Sequence, residues 1–434
     1  NKMKLKLLVL LSTLAFLVST AQAEVQINGF ASIVTGIDFE DDEQSDYGNR
    51  TADNLQESKV ALQWSADLGD GMRFVGQTMA RGDEATGFQL NYDWAYFDFN
   101  IGDAAKLKFG RLRIPFYKYS DYLDVGYAYH WITPPTSMYS LSFSNMDGVS
   151  YQQNMEAMGM DHSLTVALGR YQGILLLGTE EVQSQLENLI AINWSATMGD
   201  HEFSAAYAQA DVYVPAISAD GLGAIAALGA EDPNNILING DYGFFIGLGY
   251  KGTFGDITVY SEYSIVEVQD SIFADTSGGY LGVSYNMDDY TYHITYGVRK
   301  AEEKTYAAAT DSLDIGVITT AQAVGAGAAA ASTAAGNDAT TAAAAGTAAT
   351  NAFLADPDAA SYATGTTVNS TARFLGNGDS STITIGVRKD IGASSAIKVD
   401  LDLYTEDRVQ TALASATSEE KKATVLKFAI ETMF

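Results

Sequence analysis

Hydrophobic and polar residues alternate with a period of two along most of this 434-residue chain. Val25, Ile27, Ala31, Ile33 and Ile37 share one side of a first extended segment. Val60, Leu62, Trp64 and Ala66 do the same in a second, against Lys59, Gln63, Ser65 and Asp67. The pattern returns at Ile190, Ile192 and Trp194; at Phe244, Ile246, Leu248 and Tyr250; at Leu281, Val283 and Tyr285; and at Tyr292, Ile294, Tyr296 and Val298. Near the end it runs through Ile383, Ile385 and Val387, then Ile397, Val399, Leu401 and Leu403. Side chains on successive strand residues point to opposite faces, so each segment predicts a strand with one apolar face. The count is sixteen strands. Short Gly/Asp turns (LGDG, NIGDAA, MGDH, FGD, MDD, DIGAS) alternate with longer, polar connections.

The last segment, TVLKFAIETMF, puts Thr424, Leu426, Phe428, Ile430, Thr432 and the terminal Phe434 on one side. An open strand with such a face aggregates in water unless a core or lipid covers it. The first residues favour lipid. NKMKLKLLVLLSTLAFLVSTAQA has three lysines, an apolar run from Leu7 to Val18, and a small-residue Ala-Gln-Ala end, which predicts a secretory signal peptide over residues 1–23. Its removal takes Lys2, Lys4 and Lys6, so the formal charge of −29 becomes −32. No cysteine is present to form a disulfide. Tyr (25), Phe (19) and Gly (40) are plentiful and Pro (6) is rare, which suits strands ending in aromatic residues. The expectation is an all-β fold, a transmembrane antiparallel β-barrel with short periplasmic turns and long external loops. A soluble sandwich also alternates, but it does not predict alternating connection lengths or aromatic strand ends.

The stretches LKFGRLRIPFYKYSDY (107–122) and NMDGVSYQ (145–152), with the long insert between them and the terminal Phe434, resemble Gram-negative general porins of the marine gammaproteobacterial type. The resemblance runs over residues 24–434, and residues 300–380 depart from it. It implies a homotrimeric, water-filled outer-membrane channel for passive diffusion of small hydrophilic solutes and ions. It further implies surroundings of outer-membrane lipid and lipopolysaccharide, a third loop folded inward, and a Phe434 read by the assembly machinery. No cofactor, metal or nucleic acid is expected. Gly29 and Ala31, facing outward, are the expected close contact with a neighbouring subunit.

The third loop, residues 115–147, carries Phe116, Tyr117, Tyr119, Tyr122, Tyr127, Tyr129, Trp131, Tyr139 and Phe143, with Pro134-Pro135 in its turn. So aromatic a segment of this length is not expected to be disordered; it reads as an external flap or, as the resemblance implies, as a constriction loop packed inside the barrel. It also carries Lys118, Asp121, Asp124 and His130. Across from its carboxylates, Arg73, Arg81, Arg111 and Arg113 are the candidate wall cations, and opposed charges at a narrow point set up a transverse field. Arg111 and Arg113 share side-chain parity with Leu107 and Phe109, so placing both inward demands a bulge near Gly110. Glu262, Arg388, Lys398, Asp400 and Asp402 are candidate lumen-lining groups by parity. Acidic external loops, including residues 40–46 and Glu302-Glu303, point to a mild cation preference that salt would screen.

Between Ala321 and Ala352, seventeen of thirty-two residues are alanine and Asp338 is the sole charge. Glycines and threonines interrupt this run, so it is expected to form a flexible or partly helical seventh external loop. The EDDEQSD run (40–46) lacks the glycine and spacing of a calcium loop. ITYGVRK (294–300) and ITIGVRK (383–389) read as convergent strand composition. Four histidines, no nucleophile elbow, no phosphate loop and no zinc motif leave no candidate catalytic site, so an enzyme is not expected. A substrate-specific channel and a surface receptor or adhesin barrel remain open alternatives.

Overall fold

A computed structural model describes residues 24–40, 47, 50–82, 87–141, 143–177, 180–214, 238–269, 271, 273–302, 315–354, 378–409 and 418–434. The expected signal peptide and most of the acidic run (41–46) lie outside these residues. Sixteen strands close into one barrel. They are β1 (Val25–Asp38), β2 (Lys59–Gly69), β3 (Met72–Arg81), β4 (Leu90–Ile101), β5 (Ala105–Arg113), β6 (Asn145–Ala157), β7 (Met160–Leu177) and β8 (Glu180–Met198). The second half comprises β9 (His201–Tyr213), β10 (Asn239–Phe254), β11 (Ile257–Val268), β12 (Asp275–Met287), β13 (Tyr290–Glu302), β14 (Ser380–Ile391), β15 (Ser395–Val409) and β16 (Ser418–Met433). Each strand pairs antiparallel with the next, and β1 pairs with β16, so no edge is left to recruit another chain.

Seven connections at one end of the barrel are two or three residues long. Their tightness requires positive φ, as at Gly69, Asp70 and Gly71 (84°, 51° and 76°), where a β-branched side chain would be strained. The other end carries the longer connections, with one departure from the expected alternation. Only residues 178–179 join β7 to β8, and these two strands are the longest, at 18 and 19 residues, so they extend the wall themselves.

The two faces are inverted relative to a soluble protein. Leu248, Leu281 and Ile294 point outward and are 58%, 58% and 52% exposed, whereas the inward Lys398, Asp400, Glu431 and Glu262 are at most 4% exposed. A wall with apolar residues outside and charges inside is stable when hydrocarbon, not water, surrounds it.

Between β13 and β14 the alanine-rich segment forms two helices, α1 (Ile315–Ala334) and α2 (Ala339–Leu354), outside the strand order of the barrel. The Asp338 carboxylate accepts the Thr341 N–H (2.8 Å) and caps α2. The helices touch at Gly325, where a Cβ would stand 2.0 Å from the Thr350 hydroxyl and 2.9 Å from the Gly346 carbonyl. Among the described residues, no helix is long and apolar enough to cross a membrane.

Closure of the barrel depends on Gly29. Its N–H donates to the Phe434 carbonyl (2.7 Å), and the Phe434 N–H donates back to the Gly29 carbonyl (2.9 Å). A Cβ on Gly29 would lie 2.4 Å from the Phe434 ring. The expectation that Gly29 contacts a neighbouring subunit is therefore corrected: the chain's own terminal ring occupies that space. Gly29→Leu is expected to push the ring off the seam and to destabilise the barrel by about 1–3 kcal/mol, as overpacking does. Urea unfolding in lipid vesicles measures this, and an unchanged midpoint would contradict the seam contact.

Candidate functional site

Residues 114–144 leave β5, cross the barrel interior and return to β6. The Ile114 N–H donates to the Ser144 carbonyl (2.8 Å) and closes the base of the loop. Two short 3-10 turns, Ser120–Tyr122 and Gly126–Ala128, fold the loop into a compact body. One side of that body is aromatic. Phe116 and Tyr117 each lie 5.2 Å, centroid to centroid, from Phe245 of β10, and Trp131 lies 4.9 Å from Tyr260 of β11. The inner wall there is correspondingly apolar, with Ala191, Ala208 and Ala210 buried in the same cluster.

The other side is held by charge. Lys398, fully buried, donates to the carbonyls of Gly126 (2.8 Å) and Trp131 (2.5 Å) and pairs with the equally buried Glu431 (2.5 Å). Arg388 donates to the carbonyls of Tyr127 (2.6 Å) and Tyr129 and stacks on the Tyr127 ring (4.6 Å). Asp400 accepts the Ile132 N–H (2.8 Å) and lies 3.2 Å from His293, whose ring is 4.8 Å from that of His130. Farther round, Glu262 accepts the Lys118 N–H (3.1 Å), the Tyr280 hydroxyl (2.6 Å) and the Tyr139 hydroxyl. The Lys118 ammonium reaches Glu202 (2.6 Å), which also holds Lys251 (3.2 Å).

Asp124 fastens the loop to the remaining wall. It contacts Arg81 (3.1 Å), Arg113 and, more distantly, Lys59 (3.8 Å), while Asp93 shares Arg81 (3.2 Å). Burial alone would raise the Asp124 carboxyl, but Arg81, then Arg113 and Lys59, hold it well below the usual carboxylate range. Asp124 thus touches the wall arginines instead of opposing them across an open gap, which corrects the expected arrangement. Asp121 remains exposed. Between the loop and β2–β8 lies a polar cavity of about 270 Å³ lined by Gln63, Lys108, Arg113, Lys118, Asp121 and Asn193, among others.

The wall arginines separate. Arg111 points outward and pairs with Asp147 of β6 (2.9 Å), both side chains nearly half exposed. Arg113, at the last residue of β5, turns inward to Asp124. Gly110 has φ of 139°, yet the pairings of β5 with β4 and β6 keep their register, so the expected bulge that would carry both arginines inward does not form. Arg73 pairs with Asp98 (2.8 Å), one residue beyond the start of β3 at the turn end, away from the loop. Asp402 faces inward but is held by Lys427 (2.9 Å) and the Thr384 hydroxyl (2.6 Å). The expectation of an open ion-lined wall at Lys398, Asp400 and Glu262 is corrected too, because the loop covers all three. Lys59, Asp93, Glu202, Lys427 and Glu431 were not nominated from the sequence. The signal for the last two was present, since both occupy the non-lipid parity of the final strand.

A closed sixteen-stranded barrel with an apolar exterior and an inner loop that narrows its polar lumen defines a membrane channel. The chain belongs to the Gram-negative porin family, whose model matches residues 10–318. A search of curated protein sequences finds no match. Among solved structures, the outer membrane channel DcaP of Acinetobacter baumannii superposes with a TM-score of 0.54 at 11% identity, over 96% of this chain and 99% of that one. OmpF of Salmonella typhi, in complex with daunomycin, gives 0.52 at 11% identity, over 95% and 98%. An anion-selective porin from Comamonas acidovorans gives 0.51 at 11%, over 95% and 100%. At such identity these likenesses establish the fold alone.

Two predictions follow from the anchors. Lys398→Met leaves Glu431 buried without a cation, which is expected to destabilise by about 3–5 kcal/mol and to free the loop. Chemical unfolding and a rise in single-channel conductance measure the two effects, and an unchanged conductance would mean that Lys398 does not hold the loop. The second concerns His130, buried against Trp131 and Tyr260. Burial, and then the nearby His293, Lys398 and Arg388, push its pKa well below 6.5. The packed loop therefore holds the neutral ring, and its stability is lost as pH falls below about 6.5. Limited proteolysis of the reconstituted barrel is expected to cut the loop faster at pH 5 than at pH 7.5, and His130→Phe to flatten that difference.

Proposed function

We propose that this protein is a water-filled outer-membrane diffusion channel for small hydrophilic solutes and ions, working as a homotrimer in lipid and lipopolysaccharide. The observation that carries the reading is the anchored loop, which fills part of the lumen and leaves the polar cavity along β2–β8 as the passage. The family supports the outer-membrane channel, and the resemblance of the sequence to general porins supports the trimer. Native mass determination in mild detergent tests the trimer, and a monomer alone would refute it.

The mild cation preference expected from the external acidic loops has no support in this passage. Lys108, Arg113 and Lys118 line it against Asp121 alone. Arg113 and Lys118 are paired with Asp124 and Glu202, but each carboxylate also serves a second cation. Lys108 has no carboxylate within ion-pair distance among the described residues and instead faces the Tyr96 ring (5.5 Å). The local excess is positive, so we assign the passage a weak preference for anions that salt screens with a Debye length of about 8–10 Å. Reversal potentials across reconstituted bilayers in a salt gradient test it. Lys108→Glu is expected to move the preference towards cations several-fold, most clearly at low salt. Cation preference in the unaltered channel, insensitive to that substitution, would overturn the assignment.

A further inference from the structure

We propose a second site, separate from the passage: a cup on the loop-end side of the third loop that binds a small uncharged polyhydroxylated solute of monosaccharide size. The cup has a volume of about 290 Å³ and lies between β13–β16, Tyr47, Gln56 and Glu57 of the first long connection, and Thr133–Thr136 of the third. Trp131, Ile132, Lys398 and Asp400, close in sequence to the lining residues Thr133 and Asp402, are at most 2% exposed.

The charges at its centre decide the ligand class. Lys427 sits between Glu57 and Asp402, 2.9 Å from each. The second oxygen of Glu57 accepts the Tyr47 hydroxyl (2.7 Å), and that of Asp402 accepts the Thr384 hydroxyl (2.6 Å). All four carboxylate oxygens are therefore engaged, and the row retains one excess negative charge. An anion is repelled by that excess, and an amine or metal ion has to compete with Lys427, Tyr47 and Thr384 for oxygens that are each already engaged. What the cup does offer is neutral. The hydroxyls of Thr136 and Thr382 and the carboxamide of Gln56 have no side-chain hydrogen-bond partner among the described residues, although Gln56 is only 7% exposed. The Tyr47 ring adds an apolar surface. Polar groups that line a cavity without a protein partner are satisfied by water or by a ligand. A ligand with several hydroxyls and a less polar ring face matches both surfaces. The volume lies at the lower edge of the roughly 300–1,000 Å³ range of small-molecule sites, which suits one sugar ring.

The test uses the full-length protein in planar bilayers, with D-glucose titrated from each side, and calorimetric titration in detergent with glucose, acetate and ethylammonium as separate probes. Glucose is expected to bind saturably in the calorimeter, and its addition from either side is expected to leave the current through the separate passage unblocked. Gln56→Leu and Thr136→Val are each expected to weaken that binding tenfold or more while leaving the sugar-free conductance unchanged, because neither lines the passage. Thr136 is exposed, so its variant assembles even if the Gln56 variant does not. Absence of saturable glucose binding would overturn the proposal. So would glucose binding that both variants retain, or acetate or ethylammonium binding that the variants abolish.

Discussion

The structure depends on charges that face into the barrel and have no water to solvate them. Lys398 and Glu431 are completely buried, and a buried ion of either sign is tolerated only when paired and hydrogen-bonded. Glu431 alone leaves ammonium protons of Lys398 without acceptors. The carbonyls of Gly126 and Trp131 supply them. The third loop is in this sense a ligand of the wall. The converse holds as well, because a loop drawn into the lumen carries backbone groups that need partners, and Arg388, Asp400 and Glu262 provide them.

Close approach of the loop also demands empty space on the wall. A Cβ at Gly278 would stand 2.0 Å from the Ser137 carbonyl, and one at Gly297 would stand 2.5 Å from the Ser137 hydroxyl. Charge and missing side chains on β11–β16, together with the apolar strip on β8–β12 that is aromatic on β10–β12, decide which side of the barrel the loop occupies. A polar cavity remains along β2–β8. Around that cavity most of the charge is engaged in anchoring, and Lys108 and Asp121 are the charged lining groups outside the anchors.

Much of the fold was legible along the chain because its determinants are local. A period of two, Gly/Asp turns and a terminal aromatic strand follow from the geometry of neighbouring residues. They sufficed for the number of strands and their inward and outward faces, whereas the inward course of the aromatic third loop was implied by the resemblance to general porins. The same parity placed Lys398, Asp400 and Glu262 correctly on the inner face. It raised the conflict at Arg111 and Arg113 without resolving it, because whether a strand end turns inward depends on what waits there.

The tertiary structure alone decided which charges meet. Lys398 reaches Gly126 across 272 positions of sequence, and Asp400 reaches Ile132 across 268. Arg81 and Asp124 stand 43 positions apart on a strand and a loop turn. Local alternation assigns a side chain to the lumen but not a height or an azimuth within it. Those coordinates come from barrel closure and from the path of the loop, and they separate Asp124, neutralised against the wall, from Asp121, left exposed at the polar cavity. The sequence by itself determined which residues could face water inside a lipid-facing wall; the closed barrel, by bringing distant strands to one level, determined which of them are occupied in holding the loop and which are free to act on a solute.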